Sequence, residues 1–187
     1  MSLPAAFLTP SPRHGILAVG GLAAAVLAGA LFFQFVLGIA PCELCYQQRY
    51  AYYGAIVLCA AASFAPERFH RPVFLILALM FAATAVLAAY HAGVEWKFWA
   101  GPTTCAAPLG AEDPFADLED ILNKPMALPS CSEASWRFLG LSLAGWNALI
   151  CSGLTLLNLW LSFVAEPVAA ERRPAKDDEP PAPPAIA

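Results

Sequence analysis

The sequence predicts an all-α membrane protein, a four-transmembrane-helix bundle with two periplasmic loops, and three observations lead there. Of 187 residues, 59% are hydrophobic and 13% charged, against about a quarter charged in an ordinary globular domain. Four apolar runs, Ile16 to Phe35, Tyr50 to Phe64, Val73 to Tyr90 and Leu141 to Val164, contain no Asp, Glu, Lys or Arg. The basic residues also divide unevenly between the segments that separate those runs. The net charge of −4 and the lack of any Lys/Arg-rich block exclude a nucleic-acid partner, which needs a basic surface to neutralise phosphates.

Each run suits a membrane-crossing helix, although the second is short against the roughly 20 residues a hydrocarbon core requires. It is expected to draw on interfacial tyrosines or to sit in thinned bilayer. With four crossings, both tails and the tight turn at Ala65 to Pro72 share one side. Arg13, Arg68, Arg71, Arg172, Arg173 and Lys176 fall there, so the positive-inside rule makes that side cytoplasmic. The long segment from His91 to Gly140 carries only Lys97, Lys124 and Arg137 against a larger set of acids, and it faces outward with the short loop near Ile39 to Gln48. The five tyrosines (Tyr46, Tyr50, Tyr52, Tyr53, Tyr90) and Trp96, Trp99, Trp136 and Trp146 lie toward the outer face, as an interfacial aromatic belt does.

The expected organisation is a cytoplasmic N-terminal tail over 1–14, a transmembrane domain over 15–165 with outer loops at 37–48 and 91–140, and a cytoplasmic C-terminal tail over 166–187. That tail is rich in Pro, Ala and charge and reads as disordered. A cleaved signal peptide competes for the first run, since Arg13 and His14 precede it. The apolar stretch continues to Ile39, however, beyond a typical signal core, and Pro41 before Cys42 spoils a cleavage site. Within the long loop, Asp113-Pro114 offers a helix start, followed by Phe115, Leu118, Ile121 and Leu122 at helical spacing. This suggests a short amphipathic helix on the membrane surface, with a helix packed only on its own loop as the alternative.

Six cysteines are present. Cys59 and Cys151 fall inside spans, where cysteine acts as a small hydrophobe. Cys42, Cys45, Cys105 and Cys131 fall on the outer side, where disulfides persist. Cys42-Glu43-Leu44-Cys45 is a C-x-x-C, a spacing shared by zinc sites, haem attachment and redox pairs. Tyr46 stands where haem attachment needs His, and a structural zinc site ordinarily presents a second close cysteine pair, which is absent. Inert structural disulfides stay open on the residues alone. Redox chemistry is favoured by position: if a helix begins near Cys45, the unsatisfied N–H groups there favour a thiolate. Arg49, four residues on, adds a fixed positive charge on the same face, or else snorkels to a lipid phosphate. Pro102, Pro108, Pro125 and Pro129 limit regular structure around the other two cysteines, which suits a mobile arm open to attack from solvent. The role of Glu43 between the reactive cysteines does not follow from sequence.

Taken together, Cys42-Glu43-Leu44-Cys45-Tyr46-Gln47-Gln48-Arg49, then Tyr90-His91, Gly101-Pro102 and Cys105, then Cys131 followed by Trp136-Arg137-Phe138-Leu139-Gly140-Leu141, resemble the DsbB family over all but the tails. The resemblance implies an inner-membrane thiol oxidase that reoxidises a periplasmic DsbA-like dithiol protein and passes the electrons to membrane quinone, ubiquinone or menaquinone. It implies disulfides Cys42–Cys45 and Cys105–Cys131. DsbA would attack at Cys105, freed Cys131 would engage Cys42, and Cys45 would leave as a thiolate facing the quinone. Arg49 would stabilise the charge, and His91, otherwise a lone interfacial histidine, matches a family position near the quinone. A vitamin K epoxide reductase-like protein also combines four helices with paired cysteines, but its C-x-x-C lies on the last helix. A non-catalytic scaffold stapled by disulfides is the reading from a different class.

Overall fold

The computed structural model describes residues 11–102, 105 and 129–171. The amphipathic helix expected at Asp113 to Leu122 and most of both tails lie outside them.

Helix α1 spans Pro12–Phe35. Pro12 opens it, where a missing N–H costs nothing and the fixed φ suits the first turn. The chain then runs through Gly38, whose φ of 69° needs glycine's freedom, to helix α2, Glu43–Ser63. Cys42 is its N-cap, and Glu43 places a negative charge in the first turn, where the helix dipole favours it. A 3₁₀ turn, Glu67–Phe69, leads into α3, His70–Glu95. His70 closes that corner by donating from Nε2 to the Ala62 carbonyl at 3.1 Å.

All four expected spans are helices, and among the described residues three are long and apolar enough to cross a membrane: Pro12–Phe35, Glu67–Glu95 and Leu143–Val164. The second departs from expectation by starting at Glu43, seven residues before Tyr50. The polar turn from Glu43 to Arg49 is itself helical, so α2 has 21 residues. At about 1.5 Å per residue it rises about 31 Å, which carries its polar first turns, with Cys45, beyond the apolar span.

Helix α3 ends in a Schellman arrangement. Lys97 adopts φ 62°, Lys97 N–H donates to Val94 O at 3.0 Å and Phe98 N–H to Gly93 O at 2.9 Å, which satisfies two carbonyls of the last turn. Trp99 then folds back over Gly93, where a Cβ would overlap its ring. Before the last helix the chain forms a hairpin that an all-α reading does not contain. Strands β1 (Arg137–Phe138) and β2 (Leu141–Ser142) pair antiparallel, Arg137 with Ser142 and Phe138 with Leu141. Leu139 and Gly140, at φ 50° and 81°, make the two-residue turn whose twist matches the strands. Helix α4 accordingly starts at Leu143 rather than Leu141, and its backbone continues to Glu171, into the segment assigned to the tail.

The helices pack in chain order, α1 on α2, α2 on α3, α3 along α4, and α4 returns to α1. Ile16, Val19, Ala23, Tyr52, Ala55, Cys59, Phe74, Leu77, Phe81 and Cys151 fill the centre. Close approach of α1 and α2 depends on Gly20, where a Cβ would meet the Cys59 Cβ at 2.9 Å. Leu79, Val86, Leu156 and Phe163 point outward and are exposed, the inverse of a water-soluble bundle and the surface lipid requires. Cys59 and Cys151 are core side chains, as expected. Tyr52 departs from the aromatic belt: it is buried inside the bundle.

Candidate active site

Pro41 and the Gly38 turn deliver the chain so that Cys42 caps α2, and its sulfur accepts the Cys45 N–H at 3.4 Å. One helical turn brings Cys45 Sγ to 2.9 Å from Cys42 Sγ. The two are free thiols, so the Cys42–Cys45 bond expected from the resemblance is not formed here; the pair is held as a hydrogen-bonded dithiol. The expected Cys105–Cys131 disulfide is present.

The prolines of the long loop suit a mobile arm for that disulfide, and here both of its sulfurs are packed down. Cys105 and Cys131 are buried and form one cluster with Cys42, Leu44 and Val94, against which Cys45 packs. The cause is local. Cys105 N–H bonds Pro102 O at 2.9 Å, Gly101 lets the chain lie against Val94, and Lys97 Nζ holds the Ser132 carbonyl at 2.6 Å. The sulfurs of both pairs thus share one apolar seat at the end of the bundle.

His91 comes to the same place from α3, and it is fully buried. Its Nε2 lies 3.6 Å from Cys42 Sγ and 3.8 Å from Glu95 Oε1. Its Nδ1 faces the amide nitrogen of Gln48 at 3.0 Å, which donates, so Nδ1 is the acceptor and the ring proton sits on Nε2, aimed at Cys42. Gln48 is fixed in turn: Asn147 Nδ2 donates to Gln48 Oε1 at 2.7 Å, and Tyr52 OH donates to Asn147 Oδ1 at 2.5 Å. Tyr52 OH also lies 3.1 Å from Cys151 Sγ.

These contacts relocate the thiolate. In the free dithiol, Cys42 is lowered from the ordinary 9.0 to about 4, first by the hydrogen bond from Cys45, then by the bond and charge of His91 and by the Cys45 N–H, against the opposing effect of burial. Cys45 is pushed up, chiefly because its proton is the one shared with Cys42 and then because it is buried. A helix start near Cys45 would put the thiolate on that residue. The helix starts one turn earlier, so Cys42 receives the cap hydrogen bond.

Arg49 is buried. It donates to Gln34 Oε1 at 2.5 Å and Ala30 O at 3.3 Å on α1, and its guanidinium lies 5.4 Å from the Tyr46 ring centroid. Both it and Cys45 line a cavity of about 460 Å³ that also reaches Cys42, His91 and Glu95. Val26, Leu27, Phe33 and Ile150 supply apolar wall, and Trp136 and Trp146 also line it. Its size falls in the range of small-ligand sites, and its mix of apolar wall and few polar groups is typical of them. Every residue assigned a role from the sequence therefore meets at this end of the bundle: Cys42, Cys45, Arg49 and His91 on the cavity, Cys105 and Cys131 packed beside Cys42. Gln48, which stands in the motif that carries the resemblance, and three further contributors have no role in the sequence reading. Glu95 looks like one acid of the outer loop, Asn147 like a polar interruption of a span, and Tyr52 like a member of the belt.

A helical membrane bundle that seats a dithiol against a disulfide, beside an apolar cavity, defines a membrane-embedded thiol–disulfide oxidoreductase. Residues 12–161 match the family model for disulfide bond formation protein DsbB. Relatives named disulfide bond formation protein B include one from Azoarcus sp. (strain BH72), 33% identical over 170 residues that cover 81% of this chain and 92% of the relative. Another, from Marinobacter nauticus, is 34% identical over 145 residues, 74% of this chain and 84% of the relative. One from Verminephrobacter eiseniae is 31% identical over 172 residues, 88% and 94%. The chain belongs to the DsbB family, inner-membrane thiol oxidases of disulfide bond formation that reoxidise DsbA.

Proposed function

We propose that this chain takes electrons from a reduced DsbA-like periplasmic protein through Cys105 and Cys131, moves them to Cys42 and Cys45, and delivers them to membrane quinone. The observation that carries the proposal is the single cluster of four sulfurs, three buried and Cys45 half-buried against them, set beside an apolar cavity. In the exchange, a thiolate of the partner attacks Cys105, breaking Cys105–Cys131 and releasing Cys131 as thiolate. Cys131 then attacks Cys42 of an oxidised Cys42–Cys45 pair, forming Cys42–Cys131 and freeing Cys45 as thiolate. Each step breaks one S–S bond and makes one, so no electrons are lost before Cys45.

The cavity fits a quinone head group and the start of its tail. Arg49 and His91 would hold the carbonyl end, and the α1 and α4 side chains would take the apolar part. A bound quinone supplies a two-electron, two-proton acceptor more oxidising than a thiol pool. Arg49, held by neutral partners on α1, keeps its positive charge available to an anion in the cavity. His91, with its proton on Nε2, stabilises a Cys42 thiolate. The basic residues at Arg13, Arg68 and Arg71 favour cytoplasmic termini, with the sulfur-bearing end periplasmic.

Purified protein, stripped of quinone in detergent, is expected to oxidise a reduced DsbA-like protein only when ubiquinone or menaquinone is restored. Full turnover with oxygen as the sole acceptor would refute quinone as the acceptor.

A further inference from the structure

The spacing Cys42-x-x-Cys45 is one that zinc sites use, and only the lack of a second close cysteine pair argues against a metal. The fold supplies the missing half from another helix. His91 and Glu95 lie one turn apart on α3, and both face the cavity that Cys42 and Cys45 line. The ligand atoms of Cys42, Cys45 and His91 all lie within 4.8 Å of one another. Glu95 is buried, and its Oε2 has no hydrogen-bond partner among the described residues. A buried carboxylate oxygen without a partner is costly, and Glu95 stands beside the cluster of Cys42, Cys45 and His91 rather than within it, its other oxygen, Oε1, 3.8 Å from His91 Nε2.

We propose that the reduced protein binds one divalent transition-metal ion of the zinc class through Cys42, Cys45, His91 and Glu95, and that the site exists only while the Cys42–Cys45 pair is a dithiol. Tetrahedral coordination with metal–sulfur bonds of about 2.3 Å and metal–nitrogen bonds of about 2.0 to 2.1 Å sets S···S near about 3.8 Å and S···N near about 3.6 Å. Cys42 Sγ to His91 Nε2 is already 3.6 Å. The sulfurs, 2.9 Å apart, must separate by about 0.9 Å, within reach of a Cys45 side-chain rotation. His91 Nε2 to Glu95 Oε1 is 3.8 Å, and Glu95, outside the cluster of the other three ligand atoms, swings toward the sulfurs by side-chain rotation to complete the set. The ion takes the place of the proton the two sulfurs share, and that proton leaves to the buffer. Imidazole binds through Nε2, so its proton moves to Nδ1, and the Gln48 and Asn147 amides turn together, Gln48 Oε1 accepting from Nδ1 and Asn147 Oδ1 from Gln48 Nε2.

With both sulfurs bound to the metal, the reduced pair is held from reoxidation to the Cys42–Cys45 disulfide that Cys131 must attack, so the ion blocks the relay in its reduced state. Oxidation to Cys42–Cys45 removes two ligands and releases it. The inference rests on the geometry of the reduced pair and not on quinone as acceptor, and binding is read without turnover.

The test uses the full chain in detergent with Cys105 and Cys131 both replaced by Ala, reduced and titrated anaerobically with Co²⁺. One equivalent is expected to bind with a thiolate-to-cobalt charge-transfer band and tetrahedral visible bands, both erased by Zn²⁺. The Cys42–Cys45 disulfide form is expected to show neither. Glu95→Gln is expected to weaken binding by about tenfold or more while the variant still forms the Cys42–Cys45 disulfide, which reports an intact site. Absence of the charge-transfer band in the reduced protein, equal binding by the disulfide form, or undiminished affinity in Glu95→Gln would each overturn the proposal.

Discussion

The two ends of α2 place cysteine in opposite settings. At its start, Cys42 meets a backbone N–H, a second thiol and the His91 ring within hydrogen-bonding distance. Four turns on, Cys59 is equally buried but belongs to the apolar core and packs against Gly20 of α1. Burial alone does not make a thiol reactive. Reactivity requires donors that hold the sulfur as an anion, and those sit at the start of α2, supplied by α2 and α3.

Substitution of Cys45 by Ser tests that difference at its strongest. It is expected to abolish turnover while leaving a folded protein that retains Cys105–Cys131, checked by oxidase assay and thiol labelling. Normal turnover would remove Cys45 from the path. Next comes His91→Phe, which deletes the donor to Cys42 and is expected to raise the Cys42 pKa by about one unit or more, about 1.4 kcal/mol per unit. Its alkylation rate, nearly flat with pH above about 5 in the parent, would then fall on acidification from a higher pH. The sign follows from Cys42 being lowered to about 4: the thiolate is present above that value and lost below it.

The same asymmetry fixes how the pair's potential responds to pH. With Cys42 ionised and the Cys45 thiol pushed up, reduction takes up two electrons and one proton across neutral pH. The midpoint potential is expected to fall by about 30 mV per pH unit as pH rises, against about 59 mV if both thiols were protonated. A direct redox titration distinguishes the two slopes. A smaller effect is expected from Asn147→Leu, which leaves Gln48 Oε1 and Tyr52 OH without their present partner, at about 1 to 3 kcal/mol of stability and a few-fold slower Cys42 alkylation. The smallest belongs to Cys59→Ala, expected to leave turnover unchanged and to lower stability by about 1 kcal/mol. A large loss of activity there would erase the contrast between the two ends of α2.

The four spans are legible in the sequence because a charge-free apolar run of that length suits a membrane helix and little else. That Cys42, Cys45, Cys105, Cys131 and Arg49 gather at one end of the bundle is legible from their spacing relative to the spans. What sequence leaves hidden depends on partners from other elements. The polar Glu43 to Arg49 turn gives no hydropathy signal, so the start of α2, and with it the choice between Cys42 and Cys45 as thiolate, falls one turn out of place. Tyr52 shares its composition signal with Tyr50 and Tyr53, and only Asn147 on α4 distinguishes it. Glu95 counts as one of the loop's acids until α3 places it beside His91. The β1–β2 hairpin is two residues per strand, too short for an alternating pattern, and is set by the backbone of Leu139 and Gly140.

The relay stands or falls on whether Cys131 reaches Cys42. Oxidised protein mixed with a reduced DsbA-like partner lacking its second cysteine, which traps the mixed disulfide on Cys105, can be mapped by peptide mass spectrometry. A Cys42–Cys131 linkage with Cys45 free is the expected result. Cys131 recovered as a free thiol beside an intact Cys42–Cys45 bond would contradict it.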